Sequence, residues 1–178
     1  MRRGAWTEPS AEAFLVRGNN YIKDGEKVDS APAAFRILTV DMISCRKSRL
    51  EGKCTHPREQ LQQALKGEEE VGILYSELPL FVFDVNLCIP AGRNQYYHQV
   101  SYFGIHDLDE VLYSEIPFGK LMNRFLFHES DSFRDQTFKL IPKIVKGNDV
   151  VRKAVGTKCS ILGEKIKQNY IRGERFLN

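Results

Sequence analysis

Between Leu80 and Ile105 the chain alternates its side chains in a way that only extended backbone accommodates. Phe81, Phe83, Val85, Leu87 and Ile89 lie two residues apart, with Leu80, Val82, Asp84, Asn86 and Cys88 between them. A period of two puts each set on its own face of a strand. Pro90-Ala91-Gly92 closes that strand, residues 92–95 supply a hairpin turn, and Tyr96 to Ile105 returns as its partner. Antiparallel sheets commonly keep one face wet. The phenylalanine-rich set is therefore expected in the core. Asp84 and Asn86 are expected in solvent, with the lining of a ligand cavity as the alternative. His98 shares a face with Val100 and Tyr102 and reads as a hydrogen-bonded structural residue, not a catalyst.

The remaining segments fit around this hairpin. Ala33 to Ser44 is a long strand. Phe35, Ile37, Thr39, Asp41 and Ile43 fall on one face and Arg36, Leu38, Val40, Met42 and Ser44 on the other. Both faces are largely apolar, which predicts a central strand covered on both sides. Phe14 to Arg17 reads as a short strand, Gly18-Asn19-Asn20 as a turn, and Tyr21 as the restart of an extended segment before Asp24-Gly25 turns again. Arg17 reads either as a phosphate contact or as a guanidinium pinning this corner, and the structural role is favoured. Arg58 to Lys66 predicts a short helix with Leu61, Ala64 and Leu65 on one side and Gly67 as its stop. Pro117 suits a first helical turn. Phe118, Leu121, Met122, Phe125 and Leu126 then recur with helical spacing, as a core-facing stripe or as the cover of an apolar pocket. Cys159, Leu162, Gly163, Ile166 and Tyr170 form another helical face, where Gly163 permits close backbone approach. Arg172 to Asn178 looks like the start of a strand. The expected architecture is α+β: a mostly antiparallel sheet with amphipathic helices packed on it. At 178 residues, a single domain is the expectation.

Charge is unevenly spread. Residues 1–131 carry 15 basic and 19 acidic side chains, whereas residues 132–178 carry 11 basic and 4 acidic. The basic run is densest between Ser130 and Gly156. Ser132, three residues before Asp135, resembles a helix cap. Thr137 to Val145 then alternates, with Phe138, Leu140 and Ile144 on one face and Lys139 and Lys143 on the other. Pro142 marks this strand as an edge or a bulge. Lys139, Lys143 and Lys146 form either a solvated outer face or a surface for acidic lipid or phosphate, and charge alone does not choose. With Arg152 and Lys153 they are the candidate anion- or lipid-binding residues. The implied partner is an anionic lipid head group or an acidic protein. Nucleic acid is not expected, because no RNP, zinc-finger or basic-zipper pattern is present.

Several function classes find no support. No apolar run is long enough to span a bilayer, and the N-terminal MRRGAW lacks the apolar core of a signal peptide. Cys45, Cys54, Cys88 and Cys159 have no CxxC spacing, which predicts free thiols in a reducing compartment. The expected location is the cytoplasm, open to peripheral membrane contact. Cys45, Cys54 and His56 fit no common zinc pattern, and neither a metal nor a cofactor is expected. Phe118-Gly119-Lys120-Leu121 lacks the rest of a phosphate loop, and no G-x-S-x-G elbow occurs. The chain therefore reads as a non-catalytic binding module. A protein-interaction scaffold and an unrecognised enzyme are the alternatives.

The string FRDQTFKLIPKIVKG, Phe133 to Gly147, carries a phenylalanine-arginine pair, then Lys-Leu-Ile-Pro, then a glycine. With Trp6, the stretch FLVRGNNY from Phe14 to Tyr21, and AVGTKCSILGEKI from Ala154 to Ile166, it resembles the plant Enhanced Disease Resistance 2 C-terminal domain family. The resemblance spans nearly the whole chain. It implies a lipid- or membrane-associated module in defence signalling, since related plant proteins carry such a domain behind pleckstrin-homology and START-type domains. Family members usually continue past this point with a further strand and helical segments, so the chain reads as one such domain, 1–178, incomplete at its C-terminus. Arg134, inside the motif, is as apt to brace the fold as to bind a ligand.

Overall fold

The computed structural model describes residues 10, 14–46, 59–66, 81–92, 94–105, 108–113, 115–141, 149, 160–161, 163, 167–173 and 176–177. The chain divides into two compact units. One comprises residues 1–106 with 173–176 and 178, the other residues 107–172 with 177. Every strand pairing whose register is described is antiparallel, and with the helices this makes the protein α+β.

The first unit opens with β1 (Leu15–Arg17), which pairs with β2 (Lys27–Asp29). Between them Tyr21–Asp24 forms a helical turn, α1, where an extended segment was expected. Gly25 ends that turn in the left-handed region at φ 70°, and its N–H donates to the Tyr21 carbonyl. Arg17 lies 4.7 Å over the Tyr21 ring and so pins the corner, in line with its expected structural role.

The main sheet contains β3 (Phe35–Cys45), β4 (Val82–Gly92), β5 (Gln95–Ile105), β8 (Arg172–Gly173) and β9 (Phe176–Leu177), in the order β3-β5-β4-β9-β8. The hairpin of β4 and β5 forms as expected. Its turn uses positive φ at Gly92 (82°) and Asn94 (61°), residue types that tolerate it. The strand expected to start at Arg172 is found as two two-residue strands, β8 and β9, which neighbour each other in the sheet.

β3 is not central. Among the described residues it ends the sheet order, paired with β5. Its apolar content on both faces has a different cause: the register shifts between Ile37 and Thr39. Ile37 sits opposite Phe103, but Thr39 sits opposite Tyr102, so Leu38 is an extra residue. Directly opposed residues share a face. Phe35 and Ile37 therefore lie with Phe103, whereas Thr39, Asp41 and Ile43 lie with Tyr102, Val100 and His98. The five residues expected on one face are divided between two.

The two faces of the β3-β5-β4 sheet depart in part from the expected burial. One carries Phe35, Phe83 and Phe103, with Phe83 6.1 Å from Phe35 and 6.3 Å from Phe103 between ring centroids. It continues through Val85, Leu87 and Ile89. At one end of this face Phe81 and Ile105 are buried, as expected; its middle is half-buried, and at its far end Met42, Ile89 and Tyr97 are exposed. The other face carries Thr39, Asp41, Asp84, His98, Val100 and Tyr102, all buried. Asp84, expected in solvent, is 4% exposed. The reason is the helix α2 (Gln60–Leu65), which brings Leu61 against Leu38, Val100 and Tyr102, with Ile43 and Val82 alongside.

The second unit is mostly helical. It contains α3 (Leu108–Tyr113), α4 (Pro117–Asn123), a π-helical turn at Arg124–His128, α5 (Asp131–Thr137), and the two-residue strands β6 (Lys139–Leu140) and β7 (Ser160–Ile161), which pair. Pro117 opens α4 as expected. The apolar stripe after it is only half right. Phe125 and Leu126 are buried, but Phe118 and Leu121 are 46% and 41% exposed, and Gly119 faces inward instead. The π turn explains the change of phase. The Glu129 N–H reaches back five residues to the Arg124 carbonyl at 2.9 Å, and this wider turn rotates the residues before it relative to those after it. Helix α5 replaces the expected short turn and runs through Thr137, so the strand begins only at Lys139. Its cap is Ser130, not Ser132: the Ser130 hydroxyl accepts the Phe133 N–H at 3.2 Å. At Gly163 the backbones do approach closely. A Cβ there would stand 2.5 Å from the Asp135 Cα.

Candidate functional site

The residues singled out in the sequence for anion binding fare unequally. Lys139 lies on β6 and is exposed. Lys143, Lys146, Arg152 and Lys153 lie outside the described residues, as do Trp6, Cys54, Cys159 and His56. Two clusters of polar side chains do emerge from the structure, one in each unit.

The first is built on the covered face of the sheet. Cross-strand neighbours set it out in rows: Thr39, Tyr102 and Asp84, then Asp41, Val100 and Asn86, then Ile43, His98 and Cys88. Alternation along three adjacent strands places all of them on one side. The start of α2 lies against this lattice. Glu59 precedes the helix in extended conformation, and its own side chain does not cap it. Asp41 does that work from β3, accepting the Gln60 N–H at 3.0 Å and the Gln60 side-chain amide at 3.0 Å. A carboxylate at the first amides of a helix is electrostatically favoured. The Tyr102 hydroxyl donates to Glu59 Oε2. His98 Nδ1 and Asn86 Oδ1 are 3.3 Å apart, which agrees with the structural role expected for His98. Thr39 Oγ1 and Asn86 Nδ2 are buried without a hydrogen-bond partner among the described residues. Cys45 and Cys88 are both half-buried, and burial pushes the Cys88 thiol pKa up, with Cys45 adding to the effect. Among the described residues no group of three or more His, Cys, Asp and Glu side chains could hold a metal ion.

The second cluster surrounds Arg134, which is fully buried. One guanidinium nitrogen donates to the Glu129 carbonyl and to Asp131 Oδ1 at 3.3 Å, and the other to the Leu126 carbonyl at 3.5 Å. The group lies 5.8 Å from the ring centroids of both Phe125 and Tyr170. Arg172 holds the same Asp131 oxygen at 2.8 Å, and Tyr170 donates to Asp135 Oδ1 at 3.1 Å. Burial lowers the Arg134 pKa from its ordinary value, and the nearby Arg172 adds to this. Burial also raises the Tyr170 phenol pKa, helped by the hydrogen bond and the charge of Asp135. Arg134 thus ties the end of the π turn to α5. Of the two roles open to it in the sequence, the structure uses the bracing one.

A model of the family described as Protein ENHANCED DISEASE RESISTANCE 2, C-terminal, matches residues 6–178. The chain belongs to the Enhanced Disease Resistance 2 C-terminal family. Within that family, a protein of Arabidopsis thaliana named Protein ENHANCED DISEASE RESISTANCE 2-like is 27% identical over 175 residues, covering 98% of this chain and 21% of that protein. The chain therefore spans about a fifth of the length of this curated relative. No solved structure matches it. Arg134 belongs to the motif that carries the resemblance to the Enhanced Disease Resistance 2 family, and its neighbours give the arginine a physical role. Nothing in the sequence marks Glu59, Gln60 or Thr39 as members of a polar cluster. Glu59 and Tyr102 are 43 residues apart, and no local pattern connects them. Among the described residues no helix is long and apolar enough to cross a membrane.

Proposed function

We propose that this chain is a non-catalytic module that associates with anionic lipid head groups through its basic C-terminal part, within proteins that regulate plant defence. The observation that carries the reading is the division of charge. Residues 107–172 hold 12 basic and 9 acidic side chains, which amounts to the whole formal charge of +3, and the rest of the chain is neutral. Lys139, in that part, is exposed. The name of the Arabidopsis relative, Enhanced Disease Resistance 2-like, supports the link to defence.

The non-catalytic part of the reading rests on how the buried polar groups are used. Asp41 is occupied with Gln60, Glu59 with Tyr102, and His98 with Asn86. Arg134 braces backbone carbonyls. These contacts give each group a role within the fold, which supports the non-catalytic reading.

Each basic side chain near an anionic surface contributes about 1 kcal/mol, screened by salt. Binding is thus expected to be weak, reversible and salt-sensitive. Sedimentation with vesicles of phosphatidylcholine, alone or mixed with phosphatidylserine, tests it at low and high salt. Greater pelleting with the anionic vesicles, reduced by salt, is the expected result. Equal pelleting with both would overturn the reading in favour of a scaffold that binds protein.

A further inference from the structure

Helix α2 is too short to stand by itself. It has six residues, whereas an isolated helix shorter than about 12 to 15 residues is marginal in water. It also lacks a cap of its own. Glu59 precedes it without a side-chain cap, and the Asp41 carboxylate on β3 accepts the Gln60 N–H instead. The helix therefore forms where the sheet supplies that carboxylate, so its folding and its docking are one event.

What lies under α2 is mixed. Leu61 is buried against Leu38, Val100 and Tyr102, and Ala64 is buried as well. The same sheet face carries Thr39, Asp41, Asp84 and His98, and Glu59 joins them at the approach to the helix. Thr39 Oγ1, in a residue 1% exposed, and Asn86 Nδ2 have no hydrogen-bond partner among the described residues. Lifting a helix from an all-apolar face puts only oil into water. Lifting α2 also returns carboxylates, a hydroxyl and an amide to solvent, which offsets part of the apolar cost. The released residues regain backbone freedom too. By contrast, β5 is paired on both sides, to β3 and to β4, and Phe35, Phe83 and Phe103 join the three strands on the opposite face. Opening α2 breaks none of those contacts.

We propose that residues 59–66 are a strap that leaves and regains the sheet while β3, β5 and β4 stay paired, uncovering and covering Thr39, Asp41, Asp84 and Tyr102. Covers of this kind are drawn from the least stable parts of a structure, and a short helix capped from another strand is such a part. Opening does not depend on lipid, and its failure leaves the lipid reading standing.

Amide hydrogen exchange of the full chain, read residue by residue by NMR in urea below the unfolding transition, tests this. Gln60 and Gln63 report on the strap, since their N–H groups donate to Asp41 and to the Glu59 carbonyl. Val100 and Tyr102 report on the sheet. Once intrinsic rates are removed, Gln60 and Gln63 are expected to exchange at least about 100-fold faster than Val100 and Tyr102, with almost no urea dependence, because local opening exposes little surface. Phe83→Ala, on the opposite face, should raise exchange at Val100 and Tyr102 roughly 10- to 100-fold and leave Gln60 and Gln63 unchanged, because the open and closed forms lose the same contact. Asp41→Ala should raise exchange at Gln63 roughly 5- to 30-fold, since that cap belongs to the closed form alone. Exchange at Gln60 and Gln63 that matches Val100 and Tyr102 in rate and urea dependence, or that rises with them in Phe83→Ala, overturns the strap, because α2 then opens only when the sheet unfolds. An unchanged Gln63 rate in Asp41→Ala also overturns it, because exchange there then does not require α2 to leave Asp41. Should a variant fail to fold, the urea dependence of the parent decides.

Discussion

The two units handle polarity in opposite ways. In the sheet unit, Asp41, Asp84, His98 and Glu59 are buried, while Met42, Ile89 and Tyr97 on the apolar face meet water. In the helical unit, among the described residues, the buried cation Arg134 is ringed by aromatic groups and carbonyls, while Tyr113, Ile116, Phe118, Leu121 and Ile171 are exposed. The contrast teaches that hydrophobicity along a strand or helix says which residues share a face. It does not say which face the rest of the chain will cover.

The comparison can be tested most severely inside one helix. Phe125 is 5% exposed and packs 6.0 Å from Phe138, whereas Phe118 is 46% exposed. Phe125→Ala should cost about 4 kcal/mol in denaturant unfolding, and Phe118→Ala less than about 0.5 kcal/mol. Equal costs would mean that the apolar stripe faces the core along its whole length, as the spacing alone suggests. For the sheet unit, Tyr102→Phe removes the hydroxyl that meets Glu59 and should cost about 2 kcal/mol, because a buried carboxylate loses a donor. A neutral result would return that face to solvent. At the start of α5, Ser130→Ala should cost about 1 kcal/mol and Ser132→Ala almost nothing. The reverse order would reinstate the cap expected from sequence.

The smallest effect is one of pH. The Tyr170 phenol has its pKa raised above the ordinary 10.0, chiefly by burial. The folded chain therefore keeps a proton that the unfolded chain releases. This contribution is complete below the ordinary phenol range and is lost as pH rises through it. Stability measured above about pH 9 should fall less steeply in Tyr170→Phe than in the parent. An unchanged alkaline slope would remove Tyr170 from the buried set around Arg134.

Much of this was legible in the sequence. The hairpin of β4 and β5, the short helix α2, the proline-initiated α4 and the family relationship all come from local signals: a period of two, a glycine-bearing turn, a proline at a helix start and a distinctive motif. Three features were not legible, and each depends on a distant partner or on a departure from regular geometry. Asp84 is buried because α2 covers its face, and that helix lies more than fifteen residues away. Among the described residues β3 ends the sheet because of strand order, which composition does not encode. Phe118 and Leu121 are exposed because a π turn interrupts the helical period after them. For the candidate site, the basic residues were easy to see, but Lys139 is the member of that set that lies among the described residues. The Glu59–Tyr102 pair had no local signature at all.

Leu38 has an outsized consequence for a single residue. Because it is the odd member of β3, everything after it is out of step with everything before. Excising it would make Ile37 and Thr39 consecutive and so keep them on opposite faces, against Phe103 and Tyr102 as now; Thr39, Asp41 and Ile43 would hold their places beside α2, and the loss would be the Leu38 side chain that packs with Leu61, Val100 and Tyr102. The bulge thus lets β3 carry one apolar side chain more than its partner has places for, and that surplus is spent on the seat of α2.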